Sequence, residues 1–352
     1  MKITKNFRTK AILFALLISG FTFMQSCSKD ENNATPINKA ILEALIASTN
    51  VTLAAAVEGS AKDQYVMGSK AELQTSINLA TTVLNSATST QVQIDNAVIA
   101  LNQALALFNS KKIIPIDAAN LVGQWTFDEG SGTVAKDFSG NNYNGSFGTV
   151  VGYGGGNPAW TTDRYGMANK AIAFNLGSKI TVPYNSALNP QKMSLSLWVN
   201  VKEKKDGNRM IGLHSWKGFK FEIQGGNLPF ITAATALGTY DRDNAGVALD
   251  LNKWYHLVTT FGDGKTTFYI NGVSVKEWDN TPGTLKAVTG HDLVFGVDSS
   301  NYAATTTNFD VDSIIPLEWG GFFHGSMDEI RMYKSVLTGS QAKSIYDAEK
   351  AP

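Results

Sequence analysis

Three arrangements of apolar residues follow one another along the chain. The first is an apolar run, Ala11 to Met24, behind a basic stretch carrying Lys2, Lys5, Arg8 and Lys10. It is too short to span a bilayer and has the flanks of a cleaved leader. The second is a spacing of three and four residues between 37 and 112, a stretch without proline. Ile41, Leu42, Leu45, Ile46, Leu53 and Val57 fall mostly on one helical face; Leu73, Ile77, Ala80, Val83 and Leu84 mark a second; Ile94, Val98, Leu101, Leu105 and Phe108 mark a third. Ser69-Lys70-Ala71-Glu72 and Thr90-Gln91-Val92-Gln93 have the form of capping boxes opening the second and third helices. Short connections between them predict an antiparallel bundle. The third arrangement, from residue 120 onward, is alternation. It runs through Leu121–Phe127, Met193–Val199 and Trp254–Phe261, and Thr266–Val275 turns at Asn271-Gly272 as a hairpin. Many short alternating strands in about 230 residues predict two packed antiparallel sheets.

Composition locates the boundary between the last two. Residues 37–112 are rich in Ala, Leu, Asn and Gln, whereas residues 117–352 are rich in Gly, aromatic and β-branched residues. Lys111-Lys112-Ile113-Ile114-Pro115-Ile116 lies between them, its proline favouring extended backbone. The chain carries 30 basic and 30 acidic residues, and the leader holds four of the basic ones and no acid, so the remainder has a formal charge of −4. That balance, with no basic stripe, argues against nucleic acid as a partner.

Cys27 is the only cysteine in the chain and follows Met24-Gln25-Ser26. The sequence resembles a bacterial lipobox, in which residues 1–26 are removed and the cysteine thiol is lipidated. A lipoprotein cysteine carries two or three acyl chains, enough for stable anchoring. Ser28-Lys29-Asp30-Glu31 resembles the surface-export signal of Bacteroidetes lipoproteins, which implies an outer-membrane protein facing the cell exterior; the alternative is an ordinary polar tether facing the periplasm. Residues 27–36 read as that lipidated tether. The helices, through Gly68–Leu73 and Ala97–Leu101, resemble FIVAR-type three-helix modules of bacterial surface proteins. A spacer role is preferred there to a binding one.

The second domain has the more specific resemblance. Trp125-Thr126-Phe127-Asp128-Glu129-Gly130, Met193–Val199, Lys253–Val258, Tyr269-Ile270-Asn271-Gly272 and Gly325–Tyr333 occur in the order of motifs in LamG-like, concanavalin A-type jelly rolls, and Leu337–Gln341 then begins a terminal helix. The fold expected is therefore multidomain: a three-helix bundle over 37–112 and an all-β concanavalin A-like jelly-roll sandwich over 117–352.

Retaining glycosidases on this fold place acids at alternate positions of one strand, so that both carboxylates share a sheet face. Phe221-Glu222-Ile223-Gln224 offers one acid and no such partner, and Asp328-Glu329 point to opposite faces. His214, His256, His291 and His324 lack metal-ligand spacing. The chain therefore reads as a non-enzyme. The Asp137-Phe138-Ser139-Gly140-Asn141 loop offers the hard oxygens that Ca²⁺ takes, and the resemblance implies that Asp328 helps hold a structural ion there; Asn141 and Asp128 complete the expected set. The alternative is an Asx-turn at Asp137 and a satisfied carboxylate at Asp328. Trp125, Trp198 and Trp254 read as packing residues. Trp216, the polar loop Gly238–Asn244 with Tyr240, Asp241, Arg242 and Asp243, and the long insertion carrying Tyr302 and Trp319 combine rings with planar polar groups, as carbohydrate surfaces do. Each ring taken alone reads first as a loop anchor; of the set together, at least one is expected to contact ligand.

Taken with the resemblances, these features lead us to expect a lipid-anchored surface protein that binds polysaccharide or oligosaccharide without catalysis, with an outer-membrane glycan transporter complex as a candidate partner. The competing readings are an adhesin for a protein partner and a glycoside hydrolase or lyase.

Overall fold

The computed structural model describes residues 36–59, 63–150, 154–297 and 321–350. Cys27, Tyr302 and Trp319 therefore lie outside the described residues. Among those described, no helix is long and apolar enough to cross a membrane.

Helices α1 (Ala40–Ala55), α2 (Ser69–Asn85) and α3 (Gln91–Ser110) pack around Leu42, Ile46, Leu53, Leu73, Ile77, Ile94, Leu101 and Phe108. Tyr65 closes one end, stacked on Phe108 at 4.2 Å. Ile41 and Val57, expected on the apolar face of α1, are exposed, and Thr49 takes a buried place there. The Thr90–Gln93 capping box forms through both of its hydrogen bonds. The Ser69 box does not. Ser69 is already helical, its hydroxyl donates to the Val66 carbonyl, and left-handed Gly68 precedes it; Glu58 accepts the Lys70 amide instead. Any positive-φ residue other than glycine at the start of α2 would be strained.

The second domain is two antiparallel sheets. The first contains β1 (Leu121–Trp125), β4 (Ala159–Thr161), β5 (Ala171–Phe174), β7 (Met193–Val201), β12 (Trp254–Gly262), β13 (Lys265–Ile270), β14 (Val273–Trp278) and β16 (Gly325–Tyr333). Its order is β14-β13-β12-β7-β16-β5-β4. One edge of β16 is shared, with β5 along Gly325–Met327 and β1 along Ile330–Tyr333. A bulge between Asp328 and Arg331, with Glu329 at φ +50°, makes that change of partner. The second sheet contains β2 (Val134–Ala135), β3 (Gly145–Thr149), β6 (Ser178–Val182), β8 (Asn208–Leu213), β9 (Phe219–Gln224), β10 (Leu228–Thr235), β11 (Gly238–Asp243) and β15 (Leu293–Phe295). Its order is β11-β10-β9-β8-β15-β6-β3-β2. The β13–β14 turn has Asn271 and Gly272 both at positive φ, as a two-residue hairpin requires.

Between the sheets lie Leu195, Leu197, Val199, Leu257, Phe261, Phe219, Phe221, Ile223, Phe295 and Trp125. The Trp125 ring meets Phe295 edge-on at 4.9 Å and donates its indole N–H to the Tyr143 carbonyl at 2.8 Å. Yet the other face of the first sheet is also largely covered. Helix α4 (Gly339–Glu349), capped by Thr338 and Gln341, lies across it. Leu337, Ala342 and Ile345 pack on Val258, Tyr269 and Tyr333, and Tyr346 stacks on Trp198 at 5.8 Å. Glu349 then accepts the Trp198 indole N–H at 2.8 Å and pairs with Arg331. Its backbone carbonyl accepts from Arg164 Nε at 2.7 Å and from Tyr165. Trp198 is thus a packing residue, as expected from the alternation, but between sheet and helix.

The interdomain segment is tied at both ends. Ile113 N–H donates to the Gln64 carbonyl at 2.8 Å; Ile114 N–H donates to Ser344 Oγ at 3.1 Å, and Gln341 Nε2 to the Pro115 carbonyl at 3.2 Å.

His256 is fully enclosed beneath α4, with Nε2 2.8 Å from Ser196 Oγ. Burial, with Arg331 and Arg164 nearby, pushes its pKa down to about 3 from an ordinary 6.5. As pH falls through this window the unfolded chain takes up a proton that the folded chain refuses, so stability is lost. His256→Gln should remove this dependence. Thermal unfolding followed between pH 7 and pH 4 should show wild type losing ground to the variant as pH drops, and parallel curves would mean that His256 titrates normally in the fold.

Candidate functional site

The residues expected to hold calcium are placed in separate networks. Asp137 accepts four donors: Gln124 N–H and Ser139 N–H at 2.9 Å on Oδ1, and Ser139 Oγ at 2.8 Å and Tyr143 N–H at 2.9 Å on Oδ2. This is an Asx-turn that fastens the opening loop to β1. Asn141 points its amide nitrogen at the Leu121 and Val122 carbonyls. Asp128 is an exposed partner of Lys170 at 3.4 Å. Asp328 is buried against Arg164, with its other oxygen accepting the Glu329 N–H at 2.9 Å. Burial raises the Asp328 carboxyl above its ordinary value, while the Arg164 guanidinium pulls the other way. A guanidinium thus stands where a metal was expected, and among the described residues no three His, Cys, Asp or Glu side chains converge as a metal site. The arrangement does not fit a shared calcium ion.

The glycan candidates are also divided. Gly238–Asn244, expected to be a loop, is mainly the edge strand β11, and its period of two sends neighbours to opposite faces. Tyr240 pairs with Ala233 and Arg242 with Ile231, both core-side positions. Arg242 accordingly lies 5.2 Å from the Trp278 ring at the rim between the sheets and donates to Asn280 at 3.0 Å. Asp241 pairs with Thr232 and belongs to the outer face, where it accepts the Thr232 hydroxyl at 2.5 Å. Asp243 stops the strand: its Oδ1 accepts the Ala245 N–H, and its carbonyl accepts the Trp278 indole N–H.

Trp216 shares that outer face. It stands in the β8–β9 turn, where the His214 carbonyl accepts the amides of Lys217 and Gly218. A Cβ at position 218 would meet the Leu213 carbonyl oxygen at 2.1 Å, so glycine is required for a turn this tight. The turn folds the Trp216 ring back over Lys220, with Nζ 3.6 Å from the ring centroid. Lys220 faces Thr232 across the β9–β10 pair, and Thr232 faces Asp241, so ring, ammonium, hydroxyl and carboxylate form a row across three strands. One step along β9, Glu222 is buried between Lys220, at 3.4 Å, and Arg209.

One residue assigned to packing from the sequence is not in the core. Trp254, at the start of β12, is half-buried on the outer face of the first sheet beyond the reach of α4, and it lines a pocket of about 490 Å³. In the strand it shares a face with His256, and alternation gave no means of knowing how far the helix extends over that face.

Residues 174–343 match the model of the Laminin_G_3 family, described as the concanavalin A-like lectin/glucanases superfamily. The matched stretch runs from the end of β5 into α4, and the two antiparallel sheets have the architecture of a concanavalin A-like jelly roll. Among solved structures, domain 4 of AbnA, a GH43 extracellular arabinanase from Geobacillus stearothermophilus in complex with arabinotriose, is 21% identical, with a TM-score of 0.49 over 64% of this chain and 98% of that one. The binding domain of Paraclostridial Mosquitocidal Protein 1 is 17% identical, with a TM-score of 0.45 over 65% of this chain. The receptor binding domain of botulinum neurotoxin C/D mosaic serotype is 16% identical, with a TM-score of 0.44 over 66%. This chain spans about half the length of each of the two toxin domains, 52% in both cases. No functionally curated protein matches the chain.

The Arg164–Asp328 pair gives a direct test of what neutralises the closing strand. Both side chains are nearly enclosed, at 6% and 2% exposure. Arg164→Ala leaves a buried carboxylate without its partner and should cost about 3–5 kcal/mol in chemical denaturation. A calcium chelator should leave the midpoint of the wild-type protein where it was; a drop on chelation would place a cation on these acids.

Proposed function

We propose that this protein binds saccharide, without cleaving it, on the outer face of the second sheet around Trp216. The observation that carries the reading is the state of that ring. Trp216 is 42% exposed, and among the described residues its indole N–H meets no protein acceptor. Held over Lys220 beside Thr232 and Asp241, the indole offers an apolar plane for the C–H face of a sugar ring, with donors and acceptors for its hydroxyls close by. The family model covers the strands that build this face, and its description includes lectins.

Lipidation at Cys27 would hold the protein at the outer membrane facing outward, with the helical bundle as a spacer between lipid and binding domain. Capture of glycan at the cell surface for a neighbouring transporter complex is the role that this order of parts serves. The buried Lys220–Glu222–Arg209 cluster favours binding over hydrolysis, because its one carboxylate is already paired.

Native affinity gels containing plant, algal and fungal polysaccharides should show retardation by at least one of them. Trp216→Ala should abolish it with an unchanged melting temperature, whereas Tyr240→Ala, directed to the other side of β11, should leave it intact. Equal retardation of wild type and Trp216→Ala would remove this face from consideration. In cells, Cys27→Ala should move the protein from the membrane fraction to the soluble fraction; persistence in the membrane would rule out the lipid anchor.

A further inference from the structure

Tryptophan N–H groups sort the rings of this domain into two sets. Trp125, Trp160, Trp198 and Trp278 donate to Tyr143, Gly132, Glu349 and Asp243, respectively, at 2.8–2.9 Å. Among the described residues, Trp216 and Trp254 alone meet no protein acceptor, and they lie on the outer faces of opposite sheets. Trp216 has been accounted for. Trp254 has not.

Its surroundings are built by register. Trp254 of β12 pairs with Asn200 of β7, Asn200 with Ser326 of β16, and Ser326 with Ala173 of β5. These positions form one row across four strands, next to the row Trp198–His256–Asp328 that α4 and Arg164 cover. The row is the floor of the pocket of about 490 Å³. Thr162, Lys202 and His324 also line it. His324 is fixed there by Glu203, 3.0 Å from its Nδ1. In the floor, Asn200 Oδ1 is buried and, among the described residues, has no hydrogen-bond partner. An enclosed amide oxygen without a donor costs free energy unless something bound supplies one.

We infer that this pocket is a second saccharide-binding site, taking the end of a glycan chain with one sugar ring against Trp254 and its hydroxyls toward Asn200, Ser326 and Thr162. The size lies in the range of small-ligand pockets, roughly 300–1,000 Å³. Beside Trp254 and Phe174 its lining carries threonine, asparagine and serine side chains with Asp163, Lys202 and His324, a mostly polar set that matches a polyhydroxylated ligand better than a flat apolar one. The two sites would sit back to back on the sandwich, so that one domain could hold two chains or two parts of one chain, and their affinities would reinforce each other. This rests on the reading of the protein as a saccharide binder, but not on the Trp216 face being its site.

The indole N–H resonances of Trp216 and Trp254 report the two sites separately. With the whole chain downstream of Cys27 labelled with nitrogen-15, short oligosaccharides of glucose, xylose, arabinose and mannose are titrated in. The Trp254 resonance should move saturably with at least one of them, in wild type and in Trp216→Ala alike. Asn200→Ala should weaken that titration about tenfold and leave that of Trp216 unchanged; unmoved Trp125 and Trp198 resonances in the variant establish that it is folded. A saccharide that shifts Trp216 and never Trp254 overturns the second site while sparing the first. Movement of Trp254 alone supports the pocket and removes the Trp216 face. Unchanged Trp254 titration in Asn200→Ala overturns the pocket, and no shift of either indole overturns both sites.

Discussion

The arrangement of the β domain depends on a single residue near the end of its last helix. Glu349 takes the Trp198 indole and the Arg331 guanidinium on its side chain and the Arg164 and Tyr165 side chains on its carbonyl. A sheet with one face in the core still has another, and here that face carries Trp198, His256 and Val258, residues that water covers poorly. Helix α4 solves this problem where those residues lie, and Glu349 sits at the end of that cover. Beyond it the same sheet is open, and the pocket containing Trp254 begins there. Burial of Arg331 and Arg164 is tolerable because each has an acid beside it, Glu349 and Glu329 for the first and Asp328 for the second. Neither guanidinium loses its charge: these acids hold both pKa values above the ordinary one in spite of burial.

Much of this was legible in the sequence because the signals were local. The Asn271-Gly272 hairpin, the Thr90 cap and the alternation in β7 and β12 are all set by residues within a few positions of one another. What escaped was long-range or two-sided. The Ser69 box was lost to Gly68, whose left-handed turn starts the helix one residue too early for Ser69 to cap it. Strand β11 looked like a loop because it lies at a sheet edge, where polar residues on both faces are tolerated. Once it is a strand, Tyr240 and Asp241 cannot serve the same surface. The acids read as calcium ligands have other partners in the fold, and that of Asp328 is Arg164, far away in the chain and on the turn between β4 and β5. Alternation identifies the two faces of a strand without saying what lies over each, so Trp198 and Trp254 looked equivalent.

For the candidate site, the sequence identified Trp216 from its position in a short polar segment between strands. It did not identify Lys220, Glu222 and Arg209 as a cluster, because the residues alternate with Phe219, Phe221 and Ile223 and meet only when β8 and β9 pair. The register of a sheet turns three unremarkable residues into one electrostatic unit.

The segment joining the domains has a mechanical consequence. Ile114 and Pro115 are bonded to Ser344 and Gln341 of α4, and β1, which follows, is paired with the far end of β16. Tension applied at the helical bundle therefore enters the sandwich through the helix that clasps it before reaching the first strand. Strands β1 and β16 run antiparallel, so the load arrives where Leu121 meets Tyr333, at the foot of α4, with the packing of Leu337 and Ile345 in parallel with the strand pairing. The part that closes the hydrophobic face is also the part that bears the strain.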